Sequence, residues 1–232
     1  MLPIRDDQPR YSTPWVNYFL IGLNLVIFFF EFTLDPQSLE ILIRQFAVVP
    51  SHVALFLSGS QRYSLVAILL PFFTSLFLHG SWMHVIGNMW FLYIFGDNLE
   101  DYLGPFKYLV FYLLTGVLAM GTHMVMNLHS TAPALGASGA IAGVLGAYFV
   151  LYPRARVLTW FFVFVLWVPA WVILGYWFVL NFLSGTATSL AVQGGRNMGG
   201  VAFWAHVGGF ISGALLVKVF GERQRRHPYA FQ

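Results

Sequence analysis

The sequence predicts an all-α membrane protein: a bundle of six transmembrane helices with a long, partly helical first loop. Three observations predict it. Of the 232 residues, 58% are hydrophobic and 9% charged, whereas a soluble domain carries about 25% charge; so few charges cannot cover a water-facing surface. Apolar runs of the roughly 20 residues needed to cross a hydrocarbon core of about 30 Å recur along the chain. The basic residues, finally, are segregated. With both termini on one side, that side holds Arg5, Arg10, Lys107, Arg154, Arg156, Lys218, Arg223, Arg225 and Arg226, and the other holds Arg44, Arg62 and Arg196. This is the positive-inside pattern with cytoplasmic termini.

Residues 1–14, with Arg5, Asp6, Asp7 and Arg10, form a cytoplasmic N-terminal segment too polar for a cleavable signal peptide. The first span runs from Trp15, an interfacial anchor, to Phe32, with Glu31 at its far end where a charge can reach the interface. In the loop from Asp35 to Gly80, Leu39, Leu42, Ile43 and Phe46 recur at helical spacing opposite Glu40 and Arg44, which suggests a helix lying in the interface. Leu65 to Phe73 is short and interrupted, and reads as loop. The second span covers Trp82–Leu99, the third Phe106–Met126 after a Gly104-Pro105 turn, and the fourth Ser138–Tyr152, stopped by Pro153. A fifth is expected over Leu158–Leu183. A flexible loop follows over Ser184–Gly200, then a sixth span over Val201–Phe220. The spans make one unit, residues 15–220, ahead of a basic cytoplasmic tail, 221–232.

Polar side chains inside spans are costly and mark functional sites by default. His84 and Asn88, four residues apart, share a face of the second span, and His206 lies in the sixth. Ser138 opens the fourth. Ser138, His206 and His84 each precede a charged residue (Arg154, Glu222 and Glu100) by 16 positions, about 24 Å of helix, so they reach a common depth. Each alone could be a structural residue bonded between helices. Small residues favour their meeting: Ala205, Gly209 and Gly213 in the sixth span, and Gly136, Gly139 and Gly143 at the fourth, are expected to allow close approach of these two helices. A serine within reach of a neutral imidazole has a base for its proton. Free N–H groups at the start of its helix favour a developing oxyanion. No carboxylate lies at this depth, so a dyad without a third member is expected, carrying out acyl transfer and hydrolysis. There is no cysteine for a thiol nucleophile or zinc-thiolate site, no HExxH for zinc, and no pair of aspartates within the spans.

These residues resemble the rhomboid intramembrane serine proteases. Gly136-Ala137-Ser138-Gly139 is similar to the family's GxSG, Ala205-His206-Val207-Gly208-Gly209 to its last span, and His84-Val85-Ile86-Gly87-Asn88 to the HxxxN of its second span. Phe77-Leu78-His79-Gly80 and the run Phe95 to Asp101 are similar to prokaryotic members. The resemblance implies that Ser138 is the nucleophile and His206 the general base, with His84, Asn88 and the Ser138 N–H forming the oxyanion site. It implies transmembrane protein substrates, cut in or near their membrane segments with small residues favoured, no cofactor, metal or nucleic acid, and a structural His79. It suggests a prokaryotic plasma membrane. The chain departs from some members at Leu70-Pro71, where they carry Trp-Arg. It departs again at Ala142, where they carry an aromatic that stacks on the histidine, so His206 must be oriented from elsewhere. The alternatives are a rhomboid-like protein that binds clients without cutting them, disfavoured by the intact Ser138 and His206, and a small transporter or channel. The gate for substrate entry is sought in the Ser184–Gly200 loop or the fifth span.

Overall fold

The computed structural model describes residues 1–193 and 202–221; Arg196, the rest of the glycine-rich loop and the basic tail lie outside them. Ten α-helices and a three-stranded sheet are present among the described residues. Strand β1 (Leu2–Asp6) precedes helix α1 (Trp15–Thr33). The first loop contributes α2 (Pro36–Phe46), α3 (Pro50–Leu57), α4 (Leu65–Leu69) and α5 (Pro71–Thr74). Helices α6 (Trp82–Leu103), α7 (Pro105–Met126) and α8 (Ser138–Leu151) follow, then β2 (Arg156–Phe161), β3 (Phe164–Pro169), α9 (Ala170–Gln193) and α10 (Phe203–Phe220).

Four of these, α1, α7, α9 and α10, are long and apolar enough to cross a membrane. The segment before α6 and α6 itself meet the same test only together, as a pair bent by 78°. Helix α8 has 14 residues, about 21 Å of rise, too short to cross a ~30 Å core end to end. The bundle is that of an integral membrane protein, and among the described residues it has four or five such spans plus the short α8.

Helix α8 is the central post. It is packed most extensively against α10 and also touches α6, α7 and α9, and every residue from Gly139 to Tyr148 is buried. That explains its composition, apolar on all sides. The charged end of the bundle is polar but satisfied. Glu100 accepts the backbone N–H groups of Val16 and Asn17 (3.1 and 2.7 Å), placing a carboxylate on the exposed donors at the start of α1. The Asn17 amide donates to the Leu92 carbonyl (3.1 Å) and accepts from the Tyr108 hydroxyl (2.8 Å).

Several expectations are corrected. The fifth span does not begin at Leu158: residues 156–169 form a β-hairpin and the helix starts at Ala170. The run Val157 to Val168 is apolar except at Thr159, and periodicity cannot separate a buried strand from a helix in such a run. Its richness in Val, Phe, Trp and Thr is the strand signal, and it turns at Phe162, which has a φ of 55°. Strand β1 pairs antiparallel with β2, so part of the N-terminal segment belongs to the fold. Its carboxylate Asp6 accepts from Asn98 (2.9 Å) and from the Tyr148 hydroxyl, and the Pro3 carbonyl accepts from Trp90 Nε1 (2.6 Å). Glu31 does not reach out to the interface; it is buried and accepts the His79 N–H (3.1 Å).

In the first loop α2 is capped by Asp35, which accepts from Gln37 and Ser38, and it half-buries Leu39, Leu42, Ile43 and Phe46. Leu65 to Phe73, read from sequence as loop, instead forms α4 and α5, with Pro71 opening α5. The first ten residues of the expected Ser184–Gly200 loop continue α9 to Gln193.

Candidate functional site

The Ser138 loop is held from two sides. Val48 and Ala134 exchange backbone hydrogen bonds (3.1 and 2.8 Å), and the Gly136 N–H donates to the Ser75 carbonyl (2.8 Å). The first loop is thus the support on which the Ser138 segment is laid. Gly136 has a φ of +122°, and a β-carbon there would stand 2.7 Å from Cε1 and Nε2 of His84. Gly136, expected among the helix-packing glycines, thus lies against His84 of α6 instead; only glycine gives this backbone conformation at no steric cost while letting an imidazole lie against the loop.

Ser138 is the first residue of α8, so its N–H has no partner within the helix. Its Oγ lies 2.8 Å from Nε2 of His206, and both residues are half-buried. The α8–α10 contact makes this distance possible. A β-carbon at Gly209 would collide with the Gly139 carbonyl, one at Gly213 with the Gly143 carbonyl, and one at Gly146 with the Phe210 carbonyl. The two backbones touch. Gly139 and Gly143 have a second task that spacing did not reveal, because their missing β-carbons face Ala119 and Thr115 of α7.

On α6, Ser81 caps the helix by accepting the His84 N–H (3.2 Å). The His84 ring stands edge-on to His79, with centroids 5.1 Å apart. Asn88 is buried, and one of its amide hydrogens is directed at His79 Nε2 (3.0 Å), leaving the second for another acceptor. His79 is thereby tied to α1 through Glu31 and to α6 through Asn88.

The sequence reading missed Asn181. This buried residue of α9 has Oδ1 2.6 Å from Nδ1 of His206. One turn earlier, Trp177 stacks obliquely on the same imidazole, with centroids 5.5 Å apart and planes at 36°. The aromatic support absent at Ala142 of α8 is therefore supplied from α9. Among the described residues no group of three or more His, Asp and Glu side chains is placed to hold a metal.

A family model for the rhomboid domain matches residues 67–223, which holds all of these groups except Glu31 of α1 and the first part of the first loop. Rhomboid protein 1, mitochondrial, of Saccharomyces cerevisiae is 32% identical over 161 residues, covering 66% of this chain and 43% of the yeast protein. Rhomboid-like protein 11, chloroplastic, of Arabidopsis thaliana is 33% identical over 152 residues, covering 63% of this chain and 50% of the plant protein. The human presenilin-associated rhomboid-like protein, mitochondrial, is 34% identical over 88 residues, covering 37% of this chain and 23% of its own. The chain thus matches half or less of the length of these relatives. They are proteins of mitochondria and chloroplasts, and give no support to a prokaryotic plasma membrane. With the model match extending over well more than half of its length, this chain belongs to the rhomboid family.

Proposed function

We propose that the protein is an intramembrane serine endopeptidase that cuts membrane-anchored protein substrates in or near their transmembrane segments. The observation that carries this reading is the 2.8 Å approach of Ser138 Oγ to His206 Nε2 across a helix contact that only glycines permit. In the acylation step Oγ attacks the scissile carbonyl carbon as Nε2 takes its proton, and the imidazolium then gives that proton to the departing amine. The negative oxygen of the tetrahedral species is stabilised by the Ser138 N–H, the dipole at the start of α8, and donors from His84 and the second Asn88 hydrogen. Water, activated by the same imidazole, hydrolyses the acyl-enzyme.

The test is cleavage of a fluorogenic transmembrane substrate by the purified protein in liposomes. Ser138→Ala and His206→Ala should each lower turnover to the background of empty liposomes. Cleavage at the wild-type rate by Ser138→Ala would sink the proposal; absence of cleavage by the wild type across varied substrates would favour client binding without hydrolysis.

A further inference from the structure

We infer that Asn181 is a positioning residue for His206: it fixes the imidazole tautomer and makes α9, rather than α8, the element that aims the base. This rests on the assignment of Ser138 and His206 as nucleophile and base. The argument begins with the orientation of the amide. Asn181 Nδ2 donates to the Trp177 carbonyl (2.8 Å), and a carbonyl can only accept. Rotating the amide by half a turn would set Oδ1 against that carbonyl oxygen, two acceptors face to face. Oδ1 must therefore be the atom pointing at His206 Nδ1, 2.6 Å away, and Nδ1 must carry the proton. In a neutral ring the other nitrogen, Nε2, is then the lone-pair acceptor, and it is the one facing Ser138 Oγ at 2.8 Å. The opposite tautomer would leave the serine without a base.

Asn181 and Trp177 lie four residues apart on one face of α9. One sets the proton and the other the plane of the ring. Because nucleophile and base holder sit on different helices, a shift of α9 by about 1 Å is enough to break a hydrogen bond of this length. Asn181 is an amide, so it orients the base without placing a negative charge beside the imidazolium that forms.

The experiment uses the full chain in liposomes and measures kcat, KM and the pH dependence of kcat for Asn181→Ala, Asn181→Gln and Asn181→Asp. Removing the acceptor in Asn181→Ala should lower kcat roughly 10- to 100-fold with little change in KM. In Asn181→Asp, which keeps the acceptor and adds a charge, a large part of kcat should return and the acid limb of the profile should move to higher pH, because a carboxylate favours the protonated ring. Wild-type kcat and pH profile in a folded Asn181→Ala protein would overturn the inference. So would an Asn181→Asp protein as impaired as the alanine variant with an unshifted profile, since that is the behaviour of a packing defect. If the alanine variant does not fold, Asn181→Gln, whose longer side chain displaces the acceptor, takes its place: a lowered kcat with little change in KM supports the inference, and wild-type kcat and pH profile overturn it. Ser138→Ala run in parallel separates the questions: it stays inactive if the protease assignment holds, whatever Asn181 does.

Discussion

A methyl group on Gly136 has no room and no comfortable backbone. With φ at +122° and His84 at 2.7 Å from the added carbon, Gly136→Ala should cost on the order of 1–3 kcal/mol of stability and displace His84 from the Ser138 loop. Thermal unfolding in detergent, read beside turnover in liposomes, checks both effects. At this scale the sequence was informative wherever a polar residue interrupts a span. Ser138, His84, Asn88 and His206 all stood out for that reason, and two of them meet at hydrogen-bond distance. Asn181 breaks the same rule and passed unnoticed. With the fifth span expected over Leu158–Leu183, Asn181 fell at a helix end, where an amide excites no question. In the true helix, Ala170–Gln193, it lies mid-span, where a polar side chain is itself the functional signal.

Among the elements, α8 and α10 behave as one unit because their backbones are in contact. Gly209→Leu places a branched side chain where even a β-carbon collides with the Gly139 carbonyl. Prising the helices apart by 1 Å or more should reduce turnover at least ~100-fold, measurable with the same fluorogenic substrate. Retention of wild-type turnover would count against the contact. The small residues at period four made this pairing legible in advance. What they did not reveal is that Gly139 and Gly143 also admit α7, since spacing identifies a small face but not how many neighbours it serves. The β2–β3 hairpin was missed for a different reason: an almost wholly apolar run satisfies a helix and a strand equally, and the deciding partner, β1, lies about 155 positions earlier in the chain.

For the molecule as a whole, that sheet introduces a pH dependence. Asp6, outside the spans, has its carboxyl pushed up to about 6, chiefly by burial, with Asp97 and Asp7 adding to the shift and the Tyr148 hydrogen bond opposing it. A carboxyl whose value in the folded protein exceeds its unfolded value contributes stability that is present in full below the unfolded value and is lost as pH rises through about 6. The wild type should therefore melt at lower temperature at pH 8 than at pH 5, by on the order of 1 kcal/mol after allowance for partial exposure. Asp6→Asn should lessen that difference. Thermal unfolding across this range decides it, and an unaltered slope in Asp6→Asn would place the origin elsewhere.

The pairing of β1 with β2 also bears on how the protein is made. Helices α1, α6, α7 and α8 are all synthesised before Arg156, so the first strand is made well ahead of its partner. It must wait at the membrane surface while the intervening helices insert. The seam closes when the hairpin arrives, shortly before α9 delivers Asn181 and α10 delivers His206. Strand pairing thus cannot precede synthesis of the hairpin, which stands directly before the helices that carry Asn181 and His206.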